Sequence, residues 1–362
     1  MTSQNTSLVA ANPPRQRDAY LDNAKVLLLI LVVVGHLLAV VSGSGFSEAA
    51  YKWIYSFHMP AFVVITGYLS RSYRGTPNQI RSLVSGVLVP YLVFQVVVRV
   101  EPWLLFGEPL HLNFFVPAWS NWFLLALFAW RLLVPVLQKL RFALLFSVII
   151  ALLSVIYGGI DQGLSGARIL SYLPFFVLGL SVTPEHLERF KRIARMPLVR
   201  IAAAGYVSAV AVGLYLAGDR VQRALFMMSG VSAIKGDFTN LEHVVLRLAI
   251  MTFTTSMLVA ILILVPQRRL FFTYMGSATL TMYLLQEATL LIPRHYIAQW
   301  DGWTAPTVLL LMVAGVLYAL LLGTRPVQYL TKWIVDPIGT FAWLRKLVFK
   351  PDEAAVTTPL KG

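Results

Sequence analysis

Along the chain, apolar stretches of membrane length alternate with short polar segments. A helix of about 20 apolar residues crosses roughly 30 Å of hydrocarbon. The pattern predicts ten such spans, at roughly 26–42, 51–70, 82–100, 120–136, 142–158, 168–182, 201–217, 243–265, 272–293 and 305–323. No internal repeat and no soluble domain interrupts them. The expectation is an all-α polytopic membrane protein with about ten transmembrane helices, its transmembrane domain covering residues 17–323. Residues 1–16 and 351–362 are expected to be disordered. Residues 324–350 contain VQYLTKWIVDPIGTFAWLRKLVF, which mixes aromatic with basic residues and predicts a cytoplasmic tail lying along the membrane face.

Composition agrees: of 362 residues, 58% are hydrophobic and 13% charged, too few charges to cover a soluble protein of this size. The net charge of +14 would suggest nucleic acid in a soluble chain; here it reads as topology, and no nucleic-acid partner is expected. Of 30 Lys and Arg, 21 fall on one side of the ten spans and five on the other: Arg168, Arg220, Arg223, Lys235 and Arg294. That asymmetry puts both termini in the cytoplasm of a multi-pass protein of the plasma membrane. The basic N-terminal flank also resembles a signal peptide, but the first apolar run lacks a small-residue cleavage site and further spans follow. Tyr51, Trp53, Tyr55, Trp119, Trp122, Trp300 and Trp303 lie near span ends, as interfacial belts do. The run from Ile201, IAAAGYVSAVAVGLYLAG, is rich in small residues that permit close helix approach. With 0 cysteines, thiolate chemistry is excluded.

One residue breaks the first apolar run. His36 lies eleven positions after Lys25, three helical turns plus about 20°, so the two share a face about 16 Å apart. His58 lies about 10 Å into the second span and Glu287 about 9 Å into the ninth, both measured from the surface nearest His36. Three ionisable residues thus share one depth, where each should face protein or water. A membrane histidine can equally serve as a helix–helix hydrogen-bonding group, and Glu287 can pair with Arg247 or Arg294. On the cytoplasmic side Arg71, Arg74 and Arg81 follow the second span, and Arg71 and Arg74 share a face if helical. Positive-inside charge accounts for them; so does a phosphate site, joined by Lys25.

These segments carry a family resemblance. YLDNAKVLLLILVVVGHLLAVV, SFHMPAFVVITGYLSR, NWFLLALFAWRLLVP, LPFFVLGL and MGSATLTMYLLQEATLLIP resemble, in order, motifs of the membrane-bound acyltransferase family 3, most of all its fucose 4-O-acetylase-like branch. The resemblance covers about residues 17–323. It implies transfer of an acyl group, usually acetyl, from cytoplasmic acyl-CoA to a hydroxyl, often of a sugar facing outward. The basic-residue-then-ten-then-His motif falls on Lys25 and His36, where members usually have arginine first. Leu285-Gln286 stands where the ninth-helix motif often has leucine-histidine. The expected reaction has His36 as general base, with His58 or Glu287 orienting it or accepting a proton; an acyl-imidazole intermediate is a variant. Lys25, Arg71, Arg74 and Arg81 are expected to hold the phosphates of acetyl-CoA, the donor substrate. The expected partners are acyl-CoA, a carbohydrate or other hydroxyl acceptor, and membrane lipids. Two readings compete: a proton-coupled transporter or glycan exporter using His36, His58 and Glu287, and a two-His-one-carboxylate metal site, although the expectation is that no metal is used.

Overall fold

The computed structural model describes residues 17–156, 165–227, 239–341, 343–344 and 348–349. The tails at 1–16 and 351–362 lie outside these residues. All elements among the described residues are helical: α1 (Ala19–Leu38), α2 (Gly45–Tyr55), α3 (His58–Leu69), α4 (Pro77–Leu83), α5 (Val89–Phe106), α6 (Trp122–Leu137), α7 (Ala143–Ile156), α8 (Gly166–Ser181), α9 (Pro184–Ile193), α10 (Pro197–Ala217), α11 (Asn240–Leu264), α12 (Thr279–Thr289), α13 (Leu291–Gln299), α14 (Ala305–Leu322), α15 (Arg325–Val335) and α16 (Pro337–Thr340). Six helices or fused helices are long and apolar enough to cross a membrane: 19–38, 77–106, 119–137, 197–220, 240–264 and 305–322. The protein is a multi-pass membrane protein of helical class.

The other predicted spans contain helix that is short or broken. The span expected at 51–70 is split into α2 and α3 at Ser56–Phe57, so His58 opens α3, and its depth cannot be counted along one continuous helix. Pro60 sits in the first turn of α3, where its missing N–H is tolerated. The span expected at 272–293 divides into a 3₁₀ turn (Thr273–Ser277), α12 and α13. α7 has 14 residues. α8 turns by 93° into α9, an amphipathic helix with no buried residue. Between α4 and α5 a π turn (Val84–Leu88) precedes Pro90 and absorbs the hydrogen bond that proline cannot donate.

α1 is the central post. It begins at Ala19, seven residues before the hydropathy pattern predicts, because its first polar residues are buried against the 266–277 segment. The Asp18 side chain caps the helix by accepting from the Tyr20 N–H at 2.9 Å. Asn23 donates to the carbonyls of Pro266 and Arg268 and accepts from the Thr273 hydroxyl. Asp22 is paired with Arg17 and Lys25. Around α1 pack α2, α3, α12 and α14.

α3 and α8 cross backbone to backbone at two glycines. A Cβ on Gly67 would lie 2.1 Å from the Phe176 carbonyl oxygen, and one on Gly179 would lie 1.9 Å from that of Val64. The small residues of α10 do not serve this purpose: Gly205 and Gly213 face open space, and Ala203, Val207 and Leu214 are the buried positions. Small side chains on a lipid-facing surface incur little penalty, so their abundance did not mark the packed face. The aromatic belt is also partly redirected. Trp300 remains exposed, whereas Tyr51 and Trp122 are buried and turn inward.

Candidate active site

Two cavities lie at opposite ends of α1. The first, about 230 Å³, is lined by Lys25, Thr66, Arg131, Thr279 and apolar residues that include Phe62, Val87 and Leu124. The second, about 580 Å³, is lined by His36, His58, Trp119, Ser120, Arg168 and Arg223 among others, with Tyr51, Tyr55, Trp122 and Tyr172 as aromatic wall. Tyr283 of α12 lines both and forms the partition.

His36 is 8% exposed, and its position is fixed by α12. Its Nδ1 lies 2.9 Å from Gln286 Oε1. The other end of that amide, Nε2, donates to Ser120 Oγ at 3.3 Å and Glu287 Oε2 at 3.4 Å. The Gln286 oxygen therefore faces the imidazole and accepts its Nδ1 proton, which leaves the Nε2 lone pair free. Behind Gln286, Ser120 Oγ donates to Glu287 Oε2 at 2.5 Å and the Ser120 N–H donates to Oε1 at 3.3 Å. The Tyr283 hydroxyl donates to the Ser120 carbonyl. Gln286 and Glu287 each stand about one turn from Tyr283, so α12 presents partition, orienting amide and buried acid together.

The segment carrying Ser120 is clamped from α5. Gln95 donates to the carbonyls of Asn113 and Val116 and accepts from the Ala118 N–H and the Asn121 amide. Its neighbour Trp119 adopts φ +40°, a left-handed conformation that a bulky residue holds only when its surroundings impose it. Trp119 meets the His36 ring edge-on at 6.3 Å, and the Arg294 guanidinium lies 3.8 Å from its ring centroid.

The structure brings together the three membrane-depth residues read from the sequence, with different contacts. His58 lines the same cavity as His36; its Nδ1 is 2.8 Å from the Ile54 carbonyl, so its Nε2 carries the free lone pair. Glu287, fully buried, bonds Ser120 and Gln286 and reaches His36 only through them. As a two-His-one-carboxylate set the three do not converge, and no group of three potential ligands that could hold a metal occurs among the described residues.

The cationic residues are more dispersed. Lys25 lines the first cavity, pairs with Asp22 at 2.8 Å and donates to the Gly276 carbonyl at 2.6 Å. Arg71 and Arg74 lie on the turn after α3, not on a helix. Arg71 donates to the carbonyls of Tyr68 and Val182; Arg74 donates to those of Arg71 and Tyr73 and to the Gln138 side chain. Arg81 is half-buried on α4, 5.9 Å from the Phe349 ring centroid. None of these three lines the first cavity; Arg131, unremarked in the sequence, does. Sequence reasoning marked Gln286 only as a departure from the ninth-span motif, and it passed over Ser120 and Tyr283. Only the place of Tyr283 in the ninth-span motif and of Ser120 beside Asn121-Trp122 offered a signal.

A profile of the acyltransferase domain family matches residues 18–324. The chain belongs to the acyltransferase 3 family. Nodulation protein NolL of Mesorhizobium japonicum is 45% identical over 58 residues, 15% of this chain and 16% of that protein. NolL of Sinorhizobium fredii matches to the same extent. The match thus spans about a sixth of either relative. No solved structure matches the chain. In this member of the acyltransferase 3 family the motif histidine is bonded to a glutamine where the sequence resemblance leads one to expect histidine.

Proposed function

We propose that the protein is an O-acyltransferase of the plasma membrane that carries an acyl group, most simply acetyl, from cytoplasmic acyl-CoA to a hydroxyl of an outward-facing carbohydrate. The observation that carries this is His36. One ring nitrogen is tied to Gln286, and the other is free at a cavity lined by aromatic and polar side chains. Such an imidazole is built to accept a hydroxyl proton.

In the proposed reaction His36 Nε2 takes the acceptor's O–H proton as the oxygen attacks the thioester carbonyl. Gln286 Oε1 steadies the imidazolium through its Nδ1–H. The C–S bond then breaks, and His36 returns the proton to the departing thiolate. His58 lines the cavity where it can bond the acceptor. Glu287 is a positioning residue, acting through Ser120 and Gln286. Lys25 and Arg131 at the first cavity, with Arg71, Arg74 and Arg81 around the adjoining cytoplasmic turn, supply cations for the donor's phosphates. Neutralising Arg71, Arg74 and Arg81 together is expected to weaken acetyl-CoA binding; unchanged binding removes them from the donor site.

The topology proposed is ten crossings with both termini cytoplasmic, counting 45–69 and 273–299 as broken spans. Residues 17–323 form the acyltransferase domain and 324–350 the interfacial tail. α15 supports the latter, since Tyr329, Leu330 and Trp333 are exposed while Val335 is buried.

The test is His36→Ala in membranes supplied with radiolabelled acetyl-CoA. Transfer is expected to fall by about 10²–10⁴-fold. Full activity in a protein that still inserts and folds ends the assignment.

A further inference from the structure

The second cavity concentrates a charge that its location makes scarce. Outward surfaces of membrane proteins are poor in Lys and Arg, and the sequence assigns this side only five: Arg168, Arg220, Arg223, Lys235 and Arg294. Two of them, Arg168 and Arg223, line the cavity around His36. A third, Arg294, is 4% exposed and stacks on the cavity-lining Trp119 at 3.8 Å. Topology explains neither the selection nor the convergence. Among the described residues no Asp or Glu lines the cavity, and of the three only Arg223 has an acid paired with it, Glu48.

The three guanidinium groups are not equally committed. Arg223 is spent structurally: it pairs with Glu48, donates to the Ala39 carbonyl at 3.1 Å and lies 4.5 Å from the Tyr51 ring centroid. Arg294 leaves its Nε and Nη1 donors without partners although buried, and such groups are rare and costly unless something else binds them. Arg168 lies 5.7 Å from the Trp122 ring centroid, half-buried, and among the described residues no carboxylate pairs with it. A half-buried arginine without an acid partner among the described residues, at a cavity walled by Tyr51, Tyr55, Trp122 and Tyr172, is a receptor for the paired oxygens of a carboxylate or phosphate. The aromatic walls supply flat faces for the C–H surfaces of a sugar ring.

We propose that the acceptor is an anionic saccharide, carrying a carboxylate or phosphate close to the hydroxyl that is acylated, and that Arg168 is the residue that selects for that charge. This rests on the second cavity being the acceptor site. It goes beyond that reading by naming the acceptor's charge and the side chain that recognises it.

The chain has 0 cysteines, so one introduced thiol reports without background. Met227 lines the cavity and takes no part in the proposed chemistry, so Met227→Cys is the probe. Labelling rates with 2-sulfonatoethyl and 2-(trimethylammonio)ethyl methanethiosulfonate are compared, each normalised to free cysteine. The anionic reagent is expected to be favoured about 10-fold, as electrostatic focusing in a cleft allows. The preference should collapse in Arg168→Gln and persist in Arg168→Lys. A normalised ratio near one, or a ratio that Arg168→Gln leaves unchanged, overturns the inference.

Protection of the same thiol separates possible ligands. An oligogalacturonate or a glycosyl phosphate should slow labelling, and which of them does so distinguishes carboxylate from phosphate. Equal protection by a neutral oligosaccharide of the same length overturns the charge selection. Protection by coenzyme A alone shows that the cations serve the donor and overturns the proposal as well. None of these readouts needs turnover, so their failure is distinct from failure of the His36→Ala test.

Discussion

Gln286 is the residue whose replacement tests the site geometry most directly. Gln286→Leu keeps the volume of a side chain that is fully buried and removes the oxygen that holds His36 Nδ1 at 2.9 Å. In the resting protein this bond joins neutral groups; in the transition state of the proposed reaction the ring is becoming an imidazolium, and the bond becomes charge-assisted. Hydrogen bonds to charged groups contribute about 1.5–3 kcal/mol. At about 1.4 kcal/mol per factor of ten, kcat should fall by about 10- to 10²-fold. The loss should be smaller than that of His36→Ala, because the base itself remains. KM for acetyl-CoA should not move, since Gln286 does not line the first cavity. Stability should drop by only about 1–3 kcal/mol, because Ser120 and Glu287 stay bonded to each other when the amide is gone. The assay is initial-rate transfer from radiolabelled acetyl-CoA to the native membrane acceptor, at several donor concentrations, on variants that elute from size exclusion as the parent does. A double-mutant cycle with His36→Ala should show strong non-additivity, since the amide has nothing to orient once the ring is missing. A kcat within twofold of the parent, or additive losses in the cycle, would falsify the idea that this bond sets up the base.

Other expected outcomes follow from the same contacts. Tyr283→Ala removes the shared wall and should raise acceptor-independent acetyl-CoA hydrolysis; Tyr283→Phe keeps the ring and should not, and equal hydrolysis in both removes the partition role. Gly67→Ala or Gly179→Ala should destabilise the protein by at least about 1–3 kcal/mol, read as a lower Tm in detergent, because each methyl meets backbone that cannot rotate away. An unchanged Tm would mean that α3 and α8 are not in contact. Burial alone would lower the Lys191 pKa, but Glu188 and Asp18 outweigh it and raise it above 10.5. The stabilisation from this tie of α9 to the start of α1 is therefore complete below the ordinary lysine titration near pH 10.4 and lost as pH rises beyond it. Limited proteolysis within α9 should increase only above about pH 10, and Lys191→Met should be pH-insensitive there.

The residues by themselves determined the helical membrane class, the family, and the one histidine most worth testing, because hydropathy is a sum over a window and survives local error. The same window blurred every interruption. The breaks at Ser56–Phe57 and Leu290 and the 93° turn after α8 lie inside or beside apolar sequence, where backbone geometry rather than polarity decides the path. Helix arithmetic put Lys25 and His36 on one helix, and the fold keeps them there, at separate cavities. What lies between those cavities was illegible, since a partition requires α12 to meet α1 and the 113–121 segment, contacts separated by more than 150 residues of chain. Gln286 shows the limit most plainly. In the sequence it marks a departure from an expected motif; in three dimensions it is the hydrogen-bond partner of His36. Which polar residues of an apolar helix matter depends on what faces them, and a buried hydrogen bond is a property of two helices, not of either one.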